Sequence, residues 1–369
     1  ERDEHLPKYI KIKNHIKDFI EKGKFKEGSK IPTEYELSRE FNVSRHTVRK
    51  ALNLVEQEGM LYKKQGVGTF VKKQDKQPTH NVGFISISLQ DYIFADILHG
   101  VDEVFHESGY QILLGNSSDD QHKEQQVLRE FLRKNVDGLI IEPAKSAYNY
   151  SNLGLLEKFL DKQIPVVILD SKFDNNLFNY VTIDDIKGGM LATDYLIDIG
   201  HRQIGIIYKT MHKPGLGRLE GYKRALRKHD IPIYNDYVKG YYISEFEDVD
   251  SFESEIYRLV RELMELDQPP TAIFCFNDQV AIRVKEILDE MGIEVPDKIS
   301  LIGFDDSRLV KLNNISITSI AHPKQEAGRK AARIILENIE QGKSELNQNI
   351  EFRPRLIKRN SVKEIKEGV

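Results

Sequence analysis

Apolar residues recur at helical spacing near the start of the chain, at Tyr9, Ile12, Ile16, Phe19 and Ile20. This predicts an amphipathic helix, with Pro7 close to its start, where a missing N–H costs little. Gly23 and Gly28 bracket a turn. Thr33-Glu34-Tyr35-Glu36 is a capping-box pattern that starts a second helix carrying Leu37 and Phe41 and stopping near Asn42. Ser44 caps a third helix with the stripe Val48, Ala51, Leu52 and Val55, and Gly59 ends it. Leu61 to Val71 then reads as strand, turn and strand around Gly66 and Gly68.

Residues 74–80 are polar, contain Pro78 and lack apolar anchors, which predicts a linker between a first domain at 1–73 and a second at 81–369. Beyond the linker, short apolar runs alternate with helical patterns. The runs are Val82–Ile87, Gln111–Leu114, Gly138–Ile141, Pro165–Leu169, Gln203–Tyr208, Thr271–Phe276 and Ser300–Gly303. Continuous apolar strands between helices imply parallel sheets covered on both faces. A segment this long is expected to hold two lobes. The predicted class is therefore α/β: an N-terminal winged helix-turn-helix domain, then a two-lobed domain with parallel sheets.

Charge alters this picture more than composition does. The whole chain carries a net −4, which alone argues against nucleic acid. Residues 1–76, however, hold 18 Lys and Arg against 12 Asp and Glu, a balance of +6 that leaves −10 for the rest. Such polarity is expected when one end docks on phosphates and the other does not. Cys275 is the sole cysteine and sits in the apolar run Ala272–Phe276, so it is expected to be a small buried hydrophobe, with no disulfide and no cysteine metal cluster. No run approaches the ~20 apolar residues of a membrane span. The start Glu1-Arg2-Asp3-Glu4 has no apolar run after it, so no secretory leader and a cytoplasmic location are expected.

Catalytic signatures are missing: there is no GxSxG, HExxH or GxxxxGK[ST]. Gly215-Leu216-Gly217-Arg218-Leu219-Glu220-Gly221 is spaced GxGxxxG, one residue too long for a dinucleotide fingerprint, and no predicted strand leads directly into it. The chain is expected to be no enzyme and to need no metal or cofactor.

Opposite the buried stripe of the third helix lie Arg45, His46 and Arg49, with Thr47 beside them. A helix entering a major groove reads bases with its N-terminal residues, and Arg can bond a guanine edge through two N–H groups. Lys8 and Lys30 would face phosphate, and Gln65 and Gly66 at the hairpin tip would let backbone approach a minor groove. Each of these residues also fits a solvated basic face with a tight turn. The segments Lys30–Leu37, Phe41–Leu52, Glu58–Leu61 and Gly66–Val71 together resemble the GntR winged-helix family over about residues 6–72. The resemblance implies contacts to double-stranded DNA from Glu34, Arg45, His46, Thr47 and Arg49, and from Gln65 and Gly66 in the wing.

In the second domain polar residues follow predicted strands, where open parallel sheets place their clefts. Asn277-Asp278, Asp305-Asp306 and Glu142 do so, Tyr92 and Phe94 follow the first strand, and Arg218 lies in the glycine-punctuated segment. Planar carboxylate, amide and guanidinium groups bond adjacent sugar hydroxyls in pairs, while an aromatic ring covers the C–H face. Asp184, Asp278 and Asp306 serve equally well as caps of following helices. Val136–Ile140, Ile164–Val167, Ile199–Arg202, Arg218–Tyr222, Pro270–Ile273, Phe276–Asp278 and Val295–Asp297 leading to Gly303–Asp306 resemble the LacI/GalR effector domains, over about residues 81–360. This implies effector contacts from Phe94, Arg218, Asn277, Asp305 and His322, with Tyr242 as an aromatic wall.

A GntR-type reader on a LacI-type sensor is an unusual pairing. It resembles the repressors of arabinose operons in Gram-positive bacteria, which implies L-arabinose as effector and a homodimer released from its operator by the sugar. The LacI family's own helix-turn-helix and hinge helix are missing here. The rival readings are a nicotinamide enzyme and a periplasmic-type sugar receptor; the basic winged helix argues against both.

Overall fold

The computed structural model describes residues 6–21, 23–26, 28–72, 78–90, 92–147, 150–173, 176–242, 249–311, 316–342 and 348–365. It divides into two compact units, Glu1–Pro78 and Thr79–Val369. Of the expected linker, residues 74–77 lie outside the described residues, as do Glu1 to Glu4 of the charged start.

The first unit runs α1 (Lys8–Glu21), α2 (Glu34–Glu40), α3 (Arg45–Gln57), β1 (Leu61–Lys64) and β2 (Gly68–Val71). Its core is the predicted stripe: Ile12 and Ile16 of α1 bury against Leu37 of α2 and against Val48, Ala51, Leu52 and Val55 of α3. Both expected caps form. Thr33 Oγ1 accepts from the Glu36 N–H at 3.2 Å and Glu36 Oε2 accepts from the Thr33 N–H at 2.7 Å, while Ser44 Oγ accepts from the Thr47 N–H at 3.2 Å. β1 and β2 pair antiparallel from Leu61–Val71 to Lys64–Gly68, leaving a three-residue tip in which Gly66 has φ +73°.

The second unit alternates strands and helices. In chain order it contains β3 (Asn81–Ser86), α4 (Phe94–Glu107), β4 (Gln111–Asn116), α5 (Gln121–Lys134), β5 (Gly138–Ile141), α6 (Leu153–Asp161), β6 (Val166–Leu169) and β7 (Asn179–Ile183). It continues through α7 (Asp185–Asp198), β8 (Ile204–Lys209), α8 (Lys213–Lys228), β9 (Val238–Tyr241), α9 (Val249–Met264), β10 (Ala272–Cys275), α10 (Asp278–Glu290) and β11 (Ser300–Asp305). Last come β12 (Thr318–Ala321), α11 (Lys324–Gln341), β13 (Ile350–Phe352) and β14 (Arg355–Ile357).

Among the described residues these strands form two six-stranded sheets, ordered β13-β7-β6-β5-β3-β4 and β14-β12-β11-β10-β8-β9. All pairs are parallel except β12 with β14. Each sheet is covered on both faces, the first by α4 and α11 on one side and α5 and α6 on the other, the second by α7 and α8 and by α9 and α10. This explains why β5, β6 and β10 carry no polar residue: all four residues of each are buried.

The chain passes between the lobes three times. It leaves the first sheet after β7 into α7, returns after β12 into α11, and crosses again between β13 and β14. The glycine-punctuated segment is helical: β8 ends at Lys209 and does not lead directly into it, and Gly215, Gly217 and Gly221 lie inside α8. A Cβ at Gly221 would stand 2.1 Å from the Ile186 carbonyl oxygen of α7, so glycine there lets two helices touch along their backbones.

Candidate functional site

The first unit exposes one coherent polar face. Arg45, His46 and Arg49 are exposed at the start of α3, and Thr47 is bonded back to its cap, Ser44, through the two hydroxyls. Arg49 binds Glu34 in two places, Nε to Oε1 at 3.0 Å and Nη2 to Oε2 at 2.7 Å. The hydrogen bond and charge of Arg49 hold the Glu34 carboxyl below the usual range. The Arg45 guanidinium lies 4.6 Å from the centre of the Tyr35 ring. Between α2 and the wing is a groove of about 420 Å³, walled by Lys30 to Glu34 on one side and Lys63 to Thr69 on the other. Gln65 and Gly66 are exposed at its rim. Lys8 is exposed at the first turn of α1, and Lys30 lies across the wing at Gly68.

In the second unit, the carboxyl ends of both sheets face one small cavity of about 60 Å³. The first lobe contributes Ile87 after β3, Glu142 after β5 and Asp170 after β6. From the second come Lys209 at the end of β8, Asn277 after β10 and Asp305 at the end of β11. Two crossings add Asp185 and His322. Each strand end releases its chain from the ladder, so the following side chain is free to turn into the gap.

Arg218 organises the second lobe's wall. It is 5% exposed, and its guanidinium lies 3.5 Å from the ring centre of Phe304 and 4.5 Å from that of Phe276. Nε donates to Asp185 Oδ1 at 2.9 Å, Nη1 donates to the Phe276 carbonyl, and Nη2 stands 3.9 Å from Asp305 Oδ1. Asp305 sits at φ +97° with Asp306 at +46°, a turn pinned by Asp278. The Asp278 carboxylate accepts from the Ser307 N–H and from Ser319 Oγ, each at 2.6 Å. Tyr92 Oη donates to Asp305 Oδ2 from the other lobe.

Charge is concentrated where water is excluded. Burial opposes charge on Asp305, yet His322, Arg218 and Tyr92 hold its pKa down at about 2. Asp185 is pushed up to about 6 by burial, against the pull of Arg218. Burial also raises Asp170. His322 resists the same burial because Asp170 and Asp305 flank it, at 3.4 and 3.8 Å, and its pKa stands above the usual value. Among the described residues, Asp170 Oδ1 and both ring nitrogens of His322 have no hydrogen-bond partner although buried.

Two regions match known families: residues 8–71 match the bacterial regulatory proteins of the gntR family, and residues 193–362 match a periplasmic binding protein-like domain. The chain is 38% identical to the arabinose metabolism transcriptional repressor of Geobacillus stearothermophilus, over 99% of this chain and 100% of that one. It is 34% identical to the protein of the same name from Halalkalibacterium halodurans, over 97% of each. The chain belongs to the arabinose metabolism transcriptional repressors. It joins a gntR-type reader to a periplasmic-binding-protein-like domain. The second domain is also similar to solved LacI-type regulators. One, from Enterococcus faecium with bound ribose, gives a TM-score of 0.65 at 26% identity over 78% of this chain and all of that one. CcpA of Lactococcus lactis gives 0.67 at 23% over the same shares.

In this arabinose-family repressor the expected effector residues divide. Glu142, Arg218, Asn277, Asp305 and His322 line the cavity, and Tyr92 reaches Asp305 from its edge. Glu142 also ties two strand ends together, accepting from Ser86 Oγ at 3.2 Å, and Asn277 Oδ1 caps α10 through the Val280 N–H. Three expectations need correction. Asp184 caps α7, accepting from the Lys187 N–H at 2.9 Å, and the next residue, Asp185, faces the cavity instead. The Phe94 ring packs on Phe84 in the first lobe's core while its neighbour Ile93 lines the cavity. Tyr242 lies past β9 with its ring beside Lys145, away from the cavity lining.

Sequence reasoning missed Asp170, Asp185, Lys209 and His212. Asp170 and Lys209 directly follow apolar runs already recognised as strands, so the rule applied to Asn277 would have found them. Tyr35, half-exposed beside Arg45, carried no signal in the pattern. Among the described residues no cluster of His, Cys, Asp or Glu could hold a metal ion, and no helix is long and apolar enough to cross a membrane.

Proposed function

We propose that this repressor reads a palindromic operator as a homodimer and leaves it when L-arabinose closes the cleft of the second unit. The α3 residues Arg45, His46, Thr47 and Arg49 read bases, with Glu34 orienting Arg49; Lys8 and Lys30 bind phosphate, and Gln65 and Gly66 enter the minor groove. In the cleft Arg218, Asn277, Asp305, His322 and Glu142 bond the sugar hydroxyls. The location of this work is the cytoplasm, where the operator is.

One observation carries the reading: polar groups from both lobes, the His322–Asp170 and His322–Asp305 ion pairs among them, meet at a single buried cavity. Donors and acceptors of both kinds at close spacing suit a neutral polyol. The cavity is small, so admission of a ligand requires the lobes to part and reclose. A ligand that favours the closed state shifts the population toward it, and linkage then requires operator DNA to weaken sugar binding by the same factor.

Titration calorimetry against L-arabinose and a panel of pentoses and hexoses, with and without operator, tests the scheme. L-Arabinose is expected to bind best, and more weakly on operator. Equal affinity in both conditions refutes the coupling, and retardation of no duplex at low salt refutes the repressor mechanism.

A further inference from the structure

Asp119 follows β4 in the first lobe, and His212 precedes α8 in the second. Their side chains meet across the gap, Oδ2 to Nε2 at 2.8 Å, and the residues are 1% and 5% exposed. The Lys145 N–H donates to the other Asp119 oxygen at 3.0 Å, and Lys209 Nζ stands 3.9 Å from Oδ2. Two neighbouring links also run between the lobes. The Ala147 N–H donates to the Met211 carbonyl at 3.1 Å, and the Lys213 N–H donates to Ser146 Oγ at 3.1 Å. His212 and Lys209 line the sugar cavity, whereas Asp119 lies behind them.

We propose that Asp119 and His212 are a latch between the lobes, a pair of positioning residues that sets how long the closed cleft retains its sugar. The inference rests on the reading of the cavity as a sugar site. Its physical basis is the contrast between closed and open lobes. Closed, the pair is sheltered from water and its hydrogen bond is charge-assisted. Open, both groups regain hydration and attract each other weakly. The free energy of the latch therefore exists in one state only, and a ligand that selects this state binds more tightly because of it. Burial opposes charge on both groups. Asp119 nonetheless stays below the usual carboxylate range through His212, Lys209 and the Lys145 N–H, while burial and Lys209 push His212 down. The latch is thus an ionised carboxylate accepting from a neutral imidazole Nε2–H.

The test compares full-length wild type with Asp119→Ala, His212→Leu and His212→Gln. L-Arabinose affinity is measured by calorimetry and sugar dissociation by stopped flow; thermal melts report folding. Asp119→Ala and His212→Leu are expected to weaken binding about tenfold or more, mostly through faster dissociation. His212→Gln, whose amide N–H reaches where Nε2–H does, is expected to restore most of the loss. Wild-type affinity and dissociation in the first two variants overturn the latch while leaving the sugar site intact. Equal loss in Leu and Gln overturns it too, because His212 would then act by touching the sugar. Should Asp119→Ala fail to fold, the Leu and Gln pair decides alone. A wild type that binds no arabinose removes the reading beneath the proposal, and the proposal with it.

Discussion

Replacing Asp278 with Asn removes a buried charge from beneath the proposed sugar site while keeping its shape. Asp278 has no exposed surface, and its two oxygens are engaged by the Ser307 N–H and Ser319 Oγ. An amide in the same place accepts from Ser307 and donates to Ser319 Oγ. Burial, and then the charge of Asp305, raises the Asp278 pKa from 3.8 to about 7. A carboxyl whose pKa is higher folded than unfolded stabilises most while both states hold the proton. That contribution is lost as pH climbs from 3.8 to about 7. At about 1.36 kcal/mol per pH unit the loss is roughly 4 kcal/mol. The amide of the Asp278→Asn variant has no proton to lose over this range. Calorimetric melts of wild type and Asp278→Asn should coincide near the unfolded pKa of 3.8 and separate as pH rises to about 7. Above that pH the variant should melt about 8 °C higher, at roughly 2 °C per kcal/mol for a unit of this size. A gap that does not change with pH, or a variant that melts below wild type in mild alkali, refutes the account of a buried charge.

Arg45→Ala should cost ~1–3 kcal/mol of discrimination between operator and random duplex, read by competitive gel retardation. Its arabinose titration should be unchanged, and loss of both activities would signal misfolding instead. Asp305→Ala removes the carboxylate that Arg218, His322 and Tyr92 converge on. Operator binding should persist while arabinose no longer releases it; release at ordinary sugar concentration would exclude Asp305 from the site. Gly221→Ala would place a methyl 2.1 Å from the Ile186 carbonyl and force α7 and α8 apart. It should lower stability by about 1–3 kcal/mol, as overpacking does, and a melt matching wild type would show that the helices yield.

Periodicity made the first unit legible almost completely. Stripes at Ile12, Ile16, Val48 and Leu52, the capping box at Thr33 and the glycine turn at Gly66 are local signals for local structure. The apolar runs of the second unit were equally plain where strands are buried on both faces. β7 and β12 escaped because Asn179, Thr182, Thr318 and Ser319 are polar yet buried. Their partners come from far along the chain: Thr318 and Ser319 pair with Ser361 and Asp278. β9, β13 and β14 escaped as short elements at sheet edges, mostly half-buried and with no apolar run.

The residue order by itself determined the class of each long element, the core stripes, the basic reader and the acidic remainder, because these depend on spacing of a few residues. Tertiary structure alone decided which polar groups share the cleft. Asp184 and Asp185 are neighbours with the same chemistry, yet one caps a helix and the other binds Arg218. Their roles were set when β7 crossed into α7 and fixed the direction of each side chain. Likewise Asp119 meets His212 only because two separate sheets bring their carboxyl ends face to face. Contacts between lobes carry no period in sequence, since nothing in a separation of 93 positions fixes how two packed sheets approach.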